Sequence, residues 1–480
     1  MTLRISLALC LAAVAPAYAQ PASKQPAPKQ PAPKQAPKQA PTAPPVVDDL
    51  AAFDKDLDTL FSSGGLTSDQ AAARAGGASP TVRRRAAELD AAAAQTESAE
   101  LARVPVLSGK ASYTRLSKID PFVIPVGTQS FAITSINDAW LAEAQLVVPL
   151  SDYVLRYPKL IAAARLGVDA AQLNKRASEV DAGQDARIAY YEWVRANLQV
   201  LISKRQLVQV QKTLDQVRAL AEVQRLSKAD LMRVESQEAE AEQVVDQLEH
   251  LSQLREEQLR LLIGAGTEPL TIGEDIRTAI TAPANGQLDA LVGTAKQKRL
   301  EFKAIDTGIR AKESQRAAEK ANLLPRLSAF GVADYADPNQ RVFPQQDEFK
   351  LTWQVGAQLT WTLNDALQAG ATERRLTAEA NELRADRENL ERGTRLEVLQ
   401  AQQAVALAEH ALTTSAKGLA AAEEGYRVRK ELLNADRATA VELVDAETEL
   451  TRSRIAALNA RVDLRVARAQ LDHALGNDTK

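Results

Sequence analysis

Three histidines, one cysteine and a few glycine and carboxylate clusters are the residues of this sequence that could do chemistry. His250, His410 and His473 are scattered over segments with helical spacing. None has a second His, Asp or Glu at ligand spacing that stands apart from the general charge density, as a bound metal would require. Gly264-Ala265-Gly266 follows a helical stretch and suits a helix C-cap better than a phosphate loop. Glu238 to Glu242 and Arg255-Glu256-Glu257 suit solvated helix faces. No nucleophile has a base at a matching spacing. The expectation is a protein that is not an enzyme, with no catalytic residue, no cofactor and no metal.

Cys10 lies inside the first nineteen residues, which have the parts of a secretory signal. Arg4 supplies the positive start, Ile5 to Val14 a short apolar core, and Ala17-Tyr18-Ala19 a small-x-small cleavage site. The mature chain would begin at Gln20. Leu9 is bulky where a lipoprotein signal wants a small residue, so Cys10 reads as a passive apolar residue of the signal. A chain processed there keeps no thiol for a disulfide, a metal or a nucleophile.

The 59 basic side chains are balanced by 62 acidic ones, so no basic bias points to nucleic acid. Aromatics are few and alanine is abundant, which suits long helices. No stretch beyond the signal has the ~20 apolar residues that a spanning helix needs. Entry into a membrane would have to be by strands.

The elements follow from proline and periodicity. Residues 21–45 repeat Pro, Ala, Lys and Gln, the composition of an extended tether. Lys159 to Glu268 and Gln345 to Lys480 contain no proline and are rich in helix formers. In the second stretch Val398, Ala401, Val405, Ala408, Leu412, Ser415, Leu419, Ala422 and Tyr426 alternate three and four apart. Leu443, Leu450, Ala457, Leu464 and Leu471 then recur every seven residues, with Ala446, Ser453, Ala460, Ala467 and Ala474 in the partner register. Large residues at one core position and small ones at the other let coiled-coil helices approach closely. In the first stretch Leu173, Ala177, Val180, Tyr191, Val194, Leu198 and Leu201 make a similar stripe. A helix of ~65 residues is roughly 100 Å long, a length suited to crossing a compartment.

Between the helices the period drops to two. Phe349, Leu351, Trp353, Val355, Ala357, Leu359 and Trp361 alternate with Lys350, Thr352, Gln354, Gly356, Gln358, Thr360 and Thr362, a strand apolar on one side and wet on the other. Weaker alternations run from Leu107 to Thr114, from Trp140 to Val148, and through Leu327, Ala329, Gly331, Ala333 and Tyr335. Lys110, Thr114, Glu143, Gln145, Lys350, Gln354, Gln358 and Thr360 are expected to face barrel water. Trp140, Trp353 and Trp361 are expected at lipid or its interfaces. A soluble hairpin packed on one face is the alternative for any single strand.

The two halves match each other. Val104 to Ser108 resembles Leu324 to Ser328, Trp140 to Asp152 aligns without gaps with Trp353 to Asp365, and Asp230 to Gln237 lines up with Ala440 to Glu447. Each half would read helix, strand, loop, strand, long helix, turn, long helix, with all helices leaving the sheet on one side and the loops Ser117 to Ser130 and Ala336 to Glu348 on the other. Four strands cannot close a barrel, and an open edge is not tolerated in lipid. Two copies would give a filled eight-stranded barrel and three would leave a lumen.

These features resemble the TolC-like outer-membrane efflux proteins from about Thr67 to Gly476. The carriers are the duplicated plan, Leu324-Pro325-Arg326-Leu327, the junction Gly356 to Asp365, and Arg299-Leu300-Glu301-Phe302-Lys303-Ala304 as the entry to the second repeat. The resemblance implies a mixed α and β fold: two tandem helix–strand–strand–long helix–long helix repeats, four strands per protomer of a trimeric transmembrane β-barrel, and a long coiled-coil tunnel. It implies a homotrimer in the outer membrane of a Gram-negative bacterium, in contact with outer-membrane lipid, with a periplasmic adaptor (membrane fusion) protein and an inner-membrane pump as partners. The chain would be the passive conduit of a tripartite efflux or type I secretion system. A periplasmic or surface coiled-coil scaffold without a pore is the rival.

The expected segments are a signal over 1–19, a Pro/Lys/Gln/Ala linker over 20–47, a first repeat over 48–263 with strands near 105–116 and 131–150, a connector over 264–287, a second repeat over 288–476 with strands near 325–335 and 349–363, and a tail over 477–480. The resemblance places adaptor contacts at the helix tips: Arg225-Leu226-Ser227 in the first, and Asn434 and Asp436 in the turn of the second, which has no Arg-Leu-Ser of its own. The long Pro/Lys/Gln leader is not part of the family's plan.

Overall fold

The two proline-free stretches form the longest helices. The computed structural model describes residues 49–478 except 121, 134–135, 224–225, 279, 281–285 and 436. The signal expected over 1–19, including Cys10, and the linker expected over 20–47 therefore lie outside the described residues. Phe53–Lys480 is a compact unit separate from Met1–Ala52.

The first helices are α1 (Asp49–Leu60), α2 (Ser68–Ala78) and α3 (Pro80–Leu101), with the short strand β1 (Phe61–Leu66) after α1. Their starts follow local chemistry. Thr67 and Gln70 close a capping box on α2, and Pro80 opens α3 where its missing N–H costs nothing. Then come β2 (Val106–Arg115), β3 (Phe122–Val126), β4 (Gln129–Ile133) and β5 (Asp138–Val148). A one-turn helix α4 (Leu150–Leu155) leads into α5 (Tyr157–Glu222), and α6 (Lys228–Ile263) returns. Ser227 caps α6 at its start, and Gly264, in the left-handed conformation, ends it.

The second half contains α7 (Leu288–Lys298), α8 (Leu300–Glu319), β6 (Arg326–Asp337), β7 (Lys350–Thr360), α9 (Leu363–Asn434) and α10 (Ala440–Ala474). Thr439 and Glu442 form a second capping box at the start of α10. With 66 residues in α5 and 72 in α9, these helices are about 100 and 110 Å long at 1.5 Å per residue. The returning helices, of 36 and 35 residues, cover only the half of each long helix farthest from the strands. The near halves pack on α2, α3 and α8 along α5, and on α7 and α8 along α9.

The heptad stripe of α10 is buried: Leu443, Leu450, Ala457, Leu464 and Leu471 are all at most 6% exposed. Leu464 and Leu471 pack against Val398, Ala401, Val405 and Ala408 of the three-four stripe of α9, and Leu443 and Leu450 against Tyr426. Tyr190, Trp193, Val194, Leu198, Leu259 and Val462 form the largest cluster, joining α5, α6 and α10. β1 and the connector after α6 meet through paired backbone bonds, Leu66 N–H to Thr271 O (2.8 Å) and Gly273 N–H to Leu66 O (2.8 Å).

The four-stranded sheet is antiparallel throughout, in the order β2-β5-β6-β7. Two strand expectations need correction. The segment Ser117 to Ser130, expected as a loop, contains β3 and the first two residues of β4, which pair as a separate hairpin. The strand expected over 131–150 is two pieces, with 131–133 closing that hairpin and the sheet strand starting only at Asp138. Gly127 explains the turn: its φ of +67° admits the tight two-residue connection between Val126 and Gln129. The apolar run on both sides of it then pairs with itself.

Candidate functional site

The register of the sheet assembles the site. Residues paired across antiparallel strands share a face. One face carries Leu107–Leu146–Gly331–Val355, then Gly109–Ala144–Ala333–Trp353, then Ala111–Ala142–Tyr335–Leu351, each row crossing all four strands. The other carries Ser108–Gln145–Val332–Gln354, then Lys110–Glu143–Asp334–Thr352, then Ser112–Leu141–Ala336–Lys350. The sheet is thus sorted into an apolar and a largely polar face, and among the described residues no long helix packs on the apolar one. Leu351, Trp353, Val355 and Leu359 on β7 are each about 70% exposed.

The aromatic residues mark two levels. Tyr113 and Trp140 pack with ring centroids 4.5 Å apart near the loop end of β2 and β5, and Tyr335 stacks on Phe349 at 5.0 Å near the loop end of β6 and β7. Trp361 lies at the helix end of β7, where its Nε1–H donates to Leu323 O at 3.4 Å. Trp140, Trp353 and Trp361 are 49%, 69% and 56% exposed.

The six polar residues singled out for the lumen, Lys110, Glu143, Gln145, Lys350, Gln354 and Gln358, all lie on the polar face. Lys110 stands directly across from Glu143. Lys350 pairs with Glu348 at 2.8 Å. Gln354 accepts from Arg341, whose other guanidinium nitrogen donates to Trp353 O at 2.9 Å. The buried Asn339 amide donates to Lys350 O at 2.9 Å and Thr352 Oγ1 at 3.1 Å, so the loop after β6 folds back onto β7.

Sequence reasoning missed Asp334. It belongs to the polar phase of β6, a strand whose alternation is carried by its apolar phase, and the register sets it between Glu143 and Thr352. Its Oδ1 is buried with no hydrogen-bond partner among the described residues. Phe330 is a second omission. It lies on the polar face near the helix end, with its ring against Gly356, where an added Cβ would sit 2.8 Å from Phe330 Cζ.

At the far end of the helices, Leu226 packs against a cluster of Leu214, Val217, Val234, Ala440 and Val444 from both coiled coils. Ser227 accepts from Asp230 N–H at 3.2 Å, and its hydroxyl donates to Asp230 Oδ2 at 2.7 Å. Asn434 is the last residue of α9. Arg225 and Asp436 lie outside the described residues. The two tips are tied together nearby by Arg233 of α6 and Asp445 of α10, 3.3 Å apart. Glu447 of α10, only 4% exposed, accepts from Gln209 at 3.0 Å and Thr213 at 3.3 Å, both on α5. Its signal in the sequence was slight: a carboxylate aligned with Gln237 of the first half.

His473 bonds to Asp478 Oδ2 at 2.9 Å through Nδ1, and its Nε2 is 3.6 Å from Asp181. Among the described residues no group of three or more His, Cys, Asp or Glu side chains could hold a metal. No described helix is long and apolar enough to cross a membrane.

A family model described as outer membrane efflux protein matches residues 291–477. No curated protein matches the sequence. Solved structures match over nearly the whole chain at low identity. The VceC outer membrane protein of Vibrio cholerae is 17% identical, covering 85% of this chain and 96% of its own, with a TM-score of 0.69. The CmeC outer membrane channel of Campylobacter jejuni is 12% identical, covering 94% of each chain, with a TM-score of 0.69. The open state of the MtrE outer membrane channel of Neisseria gonorrhoeae is 17% identical, covering 86% of this chain and 89% of its own, with a TM-score of 0.70. Residues 291–477 thus match the outer membrane efflux protein family, and the chain as a whole shares its fold with these channels.

Proposed function

We propose that the chain is the outer-membrane channel subunit of a tripartite efflux or type I secretion system, acting as a passive conduit. The observation that supports this best is the sorted sheet. Four in-register strands leave an apolar, Trp-bearing face uncovered and gather Lys110, Glu143, Asp334, Gln145 and Gln354 on the opposite one. Such a wall is stable with hydrocarbon on one side and water on the other.

β2 and β7 are the free edges of the sheet. An unpaired edge in lipid costs several kcal/mol per unsatisfied backbone group, so β7 of one copy would pair with β2 of the next. Three copies give twelve strands and a lumen. The two halves would be tandem repeats, each contributing a hairpin to the barrel and a coiled coil to a periplasmic tunnel. The tips around Leu226–Ser227 and Asn434 would meet a periplasmic adaptor joined to an inner-membrane pump, which drives the substrate.

The test is planar-bilayer conductance of the chain extracted from membranes in detergent. Stable unit conductance steps from a trimeric species support the conduit. Recovery as a water-soluble species without detergent, and no conductance, would leave the coiled-coil scaffold.

A further inference from the structure

We propose that the junction between the first hairpin and its helices is a binding site for a glycerophospholipid of the leaflet facing the helical body. This rests on the channel reading, because it needs the uncovered sheet face to lie in a bilayer. A cleft of about 420 Å³ opens between the end of α3 and the start of α5, lined by Arg103, Tyr153, Tyr157, Pro158, Ile161 and Arg165. Its position follows from the chain. Arg103 comes just before β2 begins, and Tyr153 just after β5 ends, so the cleft sits at the helix-side rim of the apolar belt. Leu101, Val104 and Val154 around it are 59%, 58% and 76% exposed, carrying the apolar surface beyond the strands.

The chemistry fits a phosphodiester above an acyl chain. The Arg103 guanidinium is exposed and has no side-chain partner among the described residues. Arg165 is held by Glu100 at 2.7 Å, which leaves part of its fork of donors free. Tyr153 donates its hydroxyl to Arg103 O and meets Tyr157 edge-on, with centroids 5.3 Å apart. That gives an aromatic wall beside the cation, the arrangement aromatic and basic side chains adopt at a headgroup boundary.

The second junction serves as an internal comparison. By the alignment of the halves, Leu323, Ala366, Gly370 and Ala378 stand where the first has Arg103, Tyr153, Tyr157 and Arg165. A strand-to-helix junction therefore does not itself require this set. The first junction carries two arginines and two tyrosines that the second does without.

The experiment uses the trimer in detergent, stripped of co-purified lipid, titrated with phosphatidylglycerol and read by native mass spectrometry. The expected result is one lipid retained per chain. R103A/R165A should bind about tenfold more weakly, as for the loss of charge-assisted contacts. R103A, which breaks no side-chain hydrogen bond or ion pair among the described residues, should show part of that loss. R374A, an exposed cation near the second junction, should bind as the wild type does. Millimolar inorganic phosphate should fail to displace the lipid. Equal retention by wild type and R103A/R165A, full displacement by phosphate, or no retention because a neighbouring copy covers the cleft, each overturns the proposal. Conductance of the same samples separates the two levels. A conducting wild type that retains no lipid overturns only the lipid site, whereas a wild type that does not conduct overturns the channel reading and the site with it.

Discussion

Thr213 of α5 donates its hydroxyl to the carboxylate of Glu447 on α10, 3.3 Å away, in a place where Glu447 is almost fully buried. Gln209, one turn earlier on α5, donates to the same Oε1 at 3.0 Å. This polar knot joins the two coiled coils near their tips, beside the apolar cluster of Leu214, Val217 and Val444. Any motion that separates the coils there has to break it.

Replacing Glu447 by Ala would strand two donors in a dry interface. The expected cost is about 1–3 kcal/mol, read as a lower midpoint of unfolding, and larger than the cost of Glu447→Gln, which keeps an acceptor oxygen. In bilayers, Glu447→Ala should conduct more readily than the wild type. Equal midpoints for the Ala and Gln variants would count against the knot.

The uncovered sheet face sets a second expectation. Val355 is 74% exposed at the middle of β7, between Trp353 and Ala357 on the apolar face. In a bilayer, Val355→Arg should cost about 2–4 kcal/mol if the position lies near the midplane, measured as a shift in denaturant titration of vesicle-inserted protein. Gln354→Arg, one residue away on the polar face, should cost little. Similar losses for both would mean that the two faces are not in different solvents.

His473 gives a pH dependence. Burial disfavours the charged ring, but the hydrogen bond and charge of Asp478, with Asp181 behind it, outweigh both that and the repulsion of Arg299, and the histidine is held above its ordinary value. A group whose folded pKa is raised adds stability that is fully present below its unfolded pKa, near 6.5, and is lost as pH rises through the folded value. Burial pushes the neighbouring Asp181 up as well, with His473 opposing. The melting temperature of the wild type should therefore fall between pH 6 and 8 relative to His473→Gln. Parallel curves for the two proteins would remove the clasp.

The charged row on the polar face makes an electrical prediction. Glu143 and Asp334 flank each other on β5 and β6, with Lys110 on the next strand. Three copies would place more negative than positive charge at that level. Asp334→Asn and Glu143→Gln should each move the reversal potential in a salt gradient away from cation preference, and Lys110→Gln should move it toward cations. A reversal potential unmoved by all three would place the row outside the conducting path.

Much of this is legible in the sequence alone. The seven-residue repeat from Leu443 to Leu471 and the alternation from Phe349 to Thr362 each determine a face, because buried side chains must return every helical turn or every second strand position. The hairpin of β3 and β4 was not legible, since Phe122 to Ile133 is apolar on both faces and shows neither period. Asp334 was hidden because its strand was recognised by the opposite phase, Ala333 and Tyr335. The ties between coils, such as Arg233 to Asp445 and Thr213 to Glu447, join residues more than two hundred positions apart, and a stripe on one helix does not say which partner it meets.

The central claim, that β7 has hydrocarbon on one side and water on the other, is tested most directly by single-cysteine scanning from Phe349 to Thr362 in intact membranes. The chain's only cysteine, Cys10, lies in the expected signal, so the background is clean. The account predicts that a membrane-impermeant maleimide labels positions 350, 352, 354 and 358 and spares 351, 353, 355 and 359, which react only with a lipid-soluble reagent. Uniform labelling along the strand, or protection of both sets within a water-soluble protein, would contradict it.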